Sequence, residues 1–257
     1  MTKTRLLIPA TVLACTLSAH AADAPDDGGP AVVPYRPSVS TPAQLSAPGY
    51  LELEAGGLRA TDNGASRTTL PYTLKLAFTP DWGIRIGGDA WVRQRASGQS
   101  DSGVGDTAVV LKRRFAVSDA TAWGLELGET FASAKSSIGI GHDATTVNAI
   151  FSSDFAPAWH TDVNLNLTRV GGSDQPSPWQ TGWAAAFSRT LSDSWGAVGE
   201  LSGTHQAGVD TAQFLAAVSW NQSPAAVFDF GFARGLNDST PHWQVFAGVT
   251  VRLGKLF

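Results

Sequence analysis

The chain has 257 residues, of which 43% are hydrophobic and only 16% charged, with 27 glycines, nine tryptophans and a formal net charge of −4. That balance argues against a nucleic-acid partner. With its one cysteine, Cys15, in a segment expected to be removed, the mature chain has no disulfide and no zinc-thiolate site. The composition fits one large β domain with a wet interior and an apolar exterior.

Residues 1–21 read as a signal peptide. Lys3 and Arg5 form the positive end, Leu6–Leu17 the apolar stretch, and Ala19-His20-Ala21 the cleavage site. Val12–Cys15 faintly resembles a lipoprotein box, but an ordinary cleavage site follows at once. No later run reaches the ~18 apolar residues of a membrane helix, so an exported chain either stays in water or spans by strands. Residues 22–48 are rich in proline (Pro25, Pro30, Pro34, Pro37, Pro42 and, at the end, Pro48) and hold many small polar residues. They predict an extended segment, placed by preference in the periplasm, with a plug in the lumen as the alternative.

From Gly49 onward the pattern predicts twelve strands, near 49–58, 68–78, 82–94, 105–116, 122–132, 144–155, 159–170, 179–191, 195–205, 211–221, 225–236 and 242–257. Leu70, Tyr72, Leu74, Leu76 and Phe78 share one face, as do Val163, Leu165 and Leu167, and Phe228, Phe230 and Phe232. Short connections alternate with longer ones such as Arg95–Val104 and Ser133–Asp143, those after the ninth and eleventh strands being shorter. The last strand suits the ~9–11 tilted residues that cross a bilayer, and it ends on Phe257. The expected fold is all-β, a single closed antiparallel transmembrane barrel spanning 49–257, with both termini at the periplasmic side.

Aromatics gather at one edge. Phe78, Phe115, Phe155, Phe187 and Trp220 end descending strands, while Trp82, Trp123, Trp159 and Trp195 begin ascending ones, as expected of a girdle at a membrane interface. Strict alternation puts Glu129 on the lipid face unless a bulge at Gly128 re-aims it. Arg169 and Arg234 share the lipid-face parity near the outer rim, where outer-membrane lipids, lipopolysaccharide in particular, would accept their hydrogen bonds.

Parity assigns other polar residues to the lumen. Lys75, Arg85, Arg93, Lys112, Arg114 and Arg252 make one wall basic. Glu126, Asp162, Glu200 and Asp229 make the other acidic, with Glu52, Glu54 and Asp89 beside the basic arc. Such walls give either a transverse field that biases solute passage or a set of salt bridges that stiffens a narrow barrel. No cofactor, metal-ligand cluster, phosphate loop or nucleophile elbow is expected. His142, His205 and His242 lie in or beside outer loops, and His160 faces inward, so a lipid-modifying enzyme has little support.

Gly103-Val104-Gly105-Asp106-Thr107, followed by Lys112 and Phe115, resembles an element of outer-membrane proteins similar to those encoded with phenol meta-pathway degradation, the MetA-pathway transporter family. The terminal Phe257 also resembles the signal read by the barrel assembly machinery. These resemblances imply a cell outer-membrane channel, reached by signal-peptide export, for small-molecule solutes such as hydrophobic or aromatic compounds. The alternative is a closed structural or surface-interaction barrel with a salt-bridged lumen. Apart from any resemblance, Gly103–Thr107 reads as a tight entry from loop to strand.

Overall fold

A computed structural model describes residues 28–172 and 177–257, so the predicted signal peptide lies outside the described residues. Thirteen strands form one antiparallel sheet: β1 (Tyr50–Asp62), β2 (Ala65–Ala77), β3 (Trp82–Ala96), β4 (Gln99–Gly103), β5 (Thr107–Ala116), β6 (Thr121–Phe131), β7 (Ala144–Ala156), β8 (Trp159–Val170), β9 (Trp179–Thr190), β10 (Trp195–Gln206), β11 (Val209–Ser223), β12 (Ala226–Gly235) and β13 (Trp243–Lys255). Each pairs with its neighbours, β1 pairs with both β2 and β13, and β2 also pairs with β3, so twelve strands close into a barrel. Closure leaves no exposed ladder around the belt. β4 is the extra strand, folded back on β3 above the barrel.

Three predicted loops are hairpins instead. Asn63-Gly64, Ser97-Gly98 and Ala207-Gly208 all have positive φ at both residues, the geometry of two-residue type I′ turns. The strands therefore rise past the predicted boundaries before reversing. A longer connection, Ala132–Asp143, lies at the same end of the barrel. The opposite, short-turn end carries both Gly49 and Phe257, where the Leu256 N–H donates to the Gly49 carbonyl at 2.7 Å.

Alternation sorts the side chains. Leu111, Leu125, Leu127, Val147, Leu165, Leu201, Phe230 and Val245 point outward, and Leu165 is 62% exposed. Small and polar residues point inward, among them Lys75, Lys112, Glu126, Asn164, Glu200 and Asp229, all buried. One register break overturns a parity assignment. Between Leu70↔Trp91 and Pro71↔Asp89, β3 has Ala90 as an extra residue. Below it Arg85 and Asp89 face in; above it the buried residue is Val92. Arg93 is consequently exposed rather than luminal, with its Nε 3.4 Å from Ser100 Oγ on β4. A second break makes Leu253 the extra residue of β13.

No bulge re-aims Glu129. It pairs in register with Val109 and Thr145, stays on the outward face, and accepts a 2.7 Å hydrogen bond from Thr145 Oγ1. Arg169 is the next residue along the same row, opposite Thr145. Arg234 lies opposite Trp243 with its guanidinium 4.6 Å from the ring centroid.

A candidate channel lumen and its closure

The decisive feature is residues 29–48. The preferred periplasmic placement is corrected, because they enter the barrel. Starting at the short-turn end, Arg252 donates to the Pro30 carbonyl and the Val32 N–H donates to Pro224 O at 2.9 Å. The segment climbs past Asp229, crosses to Glu200 and Asn164, each midway along its strand, and descends past Lys112 and Ser152. Pro48 then bridges to Ala77, the last residue of β2, and the chain enters β1. It is a loop pushed in and out through one mouth.

Nearly every predicted luminal charge meets this loop or a neighbour. Lys75 lies 3.1 Å from Glu52 and 2.6 Å from Glu54. Glu126 takes Arg85 at 3.0 Å, Lys112 at 3.5 Å and the Asn148 amide at 3.0 Å. Glu200 accepts from the Val39 N–H at 3.0 Å and from the Ser40 N–H at 2.8 Å. Asp229 binds Arg36 through Nε and Nη2, both at 3.0 Å, a two-point pair that fixes the side chain's plane. Asp162 accepts from Ser152 Oγ and sits 3.1 Å from His160 Nε2, whose Nδ1 is 2.7 Å from Asp154. Asp89 lies 3.9 Å from Arg67, and the Arg114 Nε is buried with no hydrogen-bond partner among the described residues. Opposite charges thus meet in pairs rather than on separate walls, so the expected transverse field is largely neutralised.

Glycines shape the fit at Arg36. Gly56 and Gly248 pair across β1 and β13. A Cβ on Gly248 would stand 2.6 Å from the Arg36 guanidinium carbon, and one on Gly56 2.9 Å from Nη2. The two glycines form a notch that any side chain would fill.

The loop divides the bore. On its loop-end side is a cavity of about 470 Å³ lined by Asn148, Asn164, Asn166, Ser202, Thr204, Gln213 and Gln244, with Val39 and Thr41 as its floor. A second cavity of about 350 Å³ shares Arg85, Glu126, Thr146 and Asn148 with it. Toward the short turns lies one of about 420 Å³, lined by the underside of the loop, Asp154, His160 and Asn221. Uncharged amides and hydroxyls dominate the larger vestibule.

Outside, Phe78, Trp82, Phe115, Trp123, Phe155, Trp159, Phe187 and Trp195 are exposed near the short turns, and Trp220 stacks between Trp195 and Phe228. Arg113 lies over Trp82 and Phe115, and Arg189 over Trp159. A second outward set, Phe131, Trp179, Phe232 and Trp243, lies at the loop end and was missed in the sequence, though its outward parity was available there.

Gly103–Thr107 acts as a clasp. Asp106 accepts the Ala134 N–H at 2.9 Å and the Ile140 N–H at 2.7 Å, while Ile138 packs over Gly103 and Gly105 abuts Asp89. Asp101 adds contacts from Ser137, the Ser102 N–H and Lys135, which hold its carboxyl below the usual range. A depressed carboxyl adds stability above its ordinary pKa near ~3.9 and loses it as pH falls through the lower folded value, so these contacts should persist down to about pH 4. Asp106→Ala should release the Ala132–Asp143 connection. Hydrogen exchange at Ala134 and Ile140 is then expected to rise by at least about tenfold, a charged acceptor's hydrogen bond contributing ~1.5–3 kcal/mol; unchanged exchange would show that the clasp does not hold it.

Neither a family profile nor a curated protein matches the chain. Solved structures do. KdgM porin in complex with disordered oligogalacturonate matches with a TM-score of 0.57 at 7% identity, over 79% of this chain and 99% of that one. NanC porin matches with a TM-score of 0.55 at 8% identity, again over 79% and 99%. The fold is that of a porin barrel. The meta-pathway resemblance has no support beyond the residues that suggested it.

Proposed function

We propose that this chain is an outer-membrane channel for small polar solutes, closed by its own N-terminal segment. The observation that carries this reading is a barrel interior that the inserted loop, rather than packed wall side chains, divides into polar vestibules on its two sides. A belt of outward Leu, Val and Phe between aromatic rings is untenable in water and natural in a bilayer. The short-turn end, where residues 29–32 enter and Phe257 lies, then faces the periplasm. Amide and hydroxyl linings favour hydroxylated solutes over the hydrophobic compounds that the meta-pathway resemblance implies. KdgM, solved with oligogalacturonate, is a porin of the same fold and lends support. Liposomes carrying a variant with a destabilised loop should swell in small sugars, faster than with wild type. Swelling with neither protein would favour a closed structural barrel, whose supporting observation is the complete pairing of Glu126 and Asp229.

Phe257, 64% exposed beside Gly49, serves the assembly machinery as the end of the strand that meets β1. Deleting it, or Phe257→Asp, should cut the yield of heat-modifiable barrel in membranes severalfold. Equal yield would remove Phe257 from the signal.

A further inference from the structure

The wall holds the loop mainly by its backbone. Glu52 and Glu54 are two residues apart on one face of β1, and Val33 and Tyr35 are two apart on the loop. The Val33 N–H points to Glu52 at 3.3 Å and the Tyr35 N–H donates to Glu54 at 2.6 Å. Both chains are extended and run the same way, with a repeat of about 6.6–6.8 Å per two residues, so the carboxylates keep register with successive rungs. Lys75, bridging the two carboxylates, donates to the Val33 carbonyl. Across the bore Asn164 takes the Thr41 N–H and gives its amide to the Thr41 carbonyl, both at 2.9 Å, as a paired strand would. This is main-chain recognition of the kind that gives affinity for extended peptides, with pockets for chosen side chains giving selectivity.

Two side chains are selected. The Tyr35 ring lies under Lys75 Nζ at 4.2 Å and Lys112 Nζ at 4.1 Å, with the Arg85 guanidinium carbon at 5.8 Å, a cationic cage for an aromatic face. Arg36 fills the Gly56–Gly248 notch against Asp229.

We infer that the lumen is a peptide-binding site, in which a free extended oligopeptide bearing an aromatic–arginine pair takes the place of the chain's own residues 32–37. The inference rests on reading the segment as displaceable. A tethered segment competes at an effective concentration on the order of millimolar, so wild type masks the site. Full-length Tyr35→Ala/Arg36→Ala protein unmasks it. A fluorescent peptide of sequence Val-Val-Pro-Tyr-Arg-Pro-Ser should bind that variant in micelles saturably and at least tenfold more tightly than it binds wild type. The same peptide with Ala for Tyr and Glu for Arg should bind the variant at least tenfold less tightly. Equal binding of the two peptides, or none, would overturn the inference. Anisotropy needs no ion flow: tight binding by a barrel that never conducts would defeat the channel reading alone, and conduction without binding would defeat only this one. Where the double variant does not fold, excess peptide on wild type should speed hydrogen exchange at the Tyr35 and Ser40 amides. No acceleration, or equal acceleration by the altered peptide, would count against the site.

Discussion

Arg36→Glu is expected to convert a closed barrel into a conducting one. Arg36 makes two 3.0 Å bonds to Asp229, whose side chain is 3% exposed. Removing one partner of a buried pair costs about 3–5 kcal/mol, because the remaining charge is left dry and uncompensated. Arg36 keeps 18% exposure, so the lower end applies. A cost of about 3 kcal/mol shifts the closed-to-open ratio about a hundredfold. Glutamate adds repulsion between two carboxylates. The cost falls on the inserted state, since a withdrawn loop leaves Asp229 in water. Single-channel recordings should show open probability rising accordingly. Gly248→Val should act the same way while leaving both charges intact, because its side chain occupies the notch of the guanidinium. Unchanged open probability in both variants would mean that this contact does not hold the loop.

The second large effect is on stability. Glu126→Leu should destabilise the barrel by about 3–5 kcal/mol in urea titrations of the reconstituted protein. Glu126 is the shared partner of Arg85 and Lys112, and Lys112 is 2% exposed with no other carboxylate among its contacts with the described residues, the Pro42 carbonyl and the Tyr35 ring being left to it. Arg85→Leu/Lys112→Met/Glu126→Leu should recover most of the loss, since an apolar set of similar volume leaves no buried charge unpaired. If the triple variant were no more stable than the single one, packing at Glu126 rather than unpaired charge would be responsible.

Much of the barrel was legible because a strand's period of two needs no partner to be seen. Phe228, Phe230 and Phe232 announce an outward face wherever the neighbouring strand lies. Inward charges such as Lys75, Glu126 and Asp229 follow from the same parity. Arg93 does not, since one extra residue at Ala90 reverses parity without marking the sequence. The turns at Ser97-Gly98 and Ala207-Gly208 lack the Asn-Gly signature, and at Asn63-Gly64, which has it, the polar flanks Arg59, Thr61, Asp62, Ser66 and Arg67 hid the alternation, so all these strands looked shorter. The loop's position was least legible. Most of its contacts use backbone N–H and C=O groups, which leave no mark in the sequence, and prolines at 30, 34, 37 and 42 suit an extended tail in water as well as one in a bore. Tyr35 and Arg36 were its clearest side-chain signals, the one aromatic and the one cation between residues 29 and 48. The tandem Glu52 and Glu54, facing a lumen with no cation of β1's own, held a further hint.

The claim that residues 29–48 close the bore is tested most directly by tying the loop down reversibly. Ala43 is buried, and its N–H donates to Ser152 Oγ on β7 at 2.7 Å, so this contact between loop and wall is the place to introduce a cross-link as Ala43→Cys/Ser152→Cys. In an Arg36→Glu background, planar-bilayer current should fall to the wild-type level when this pair is oxidised and return on adding dithiothreitol. Equal current in the oxidised and reduced protein, with the cross-link verified, would contradict a displaceable closure.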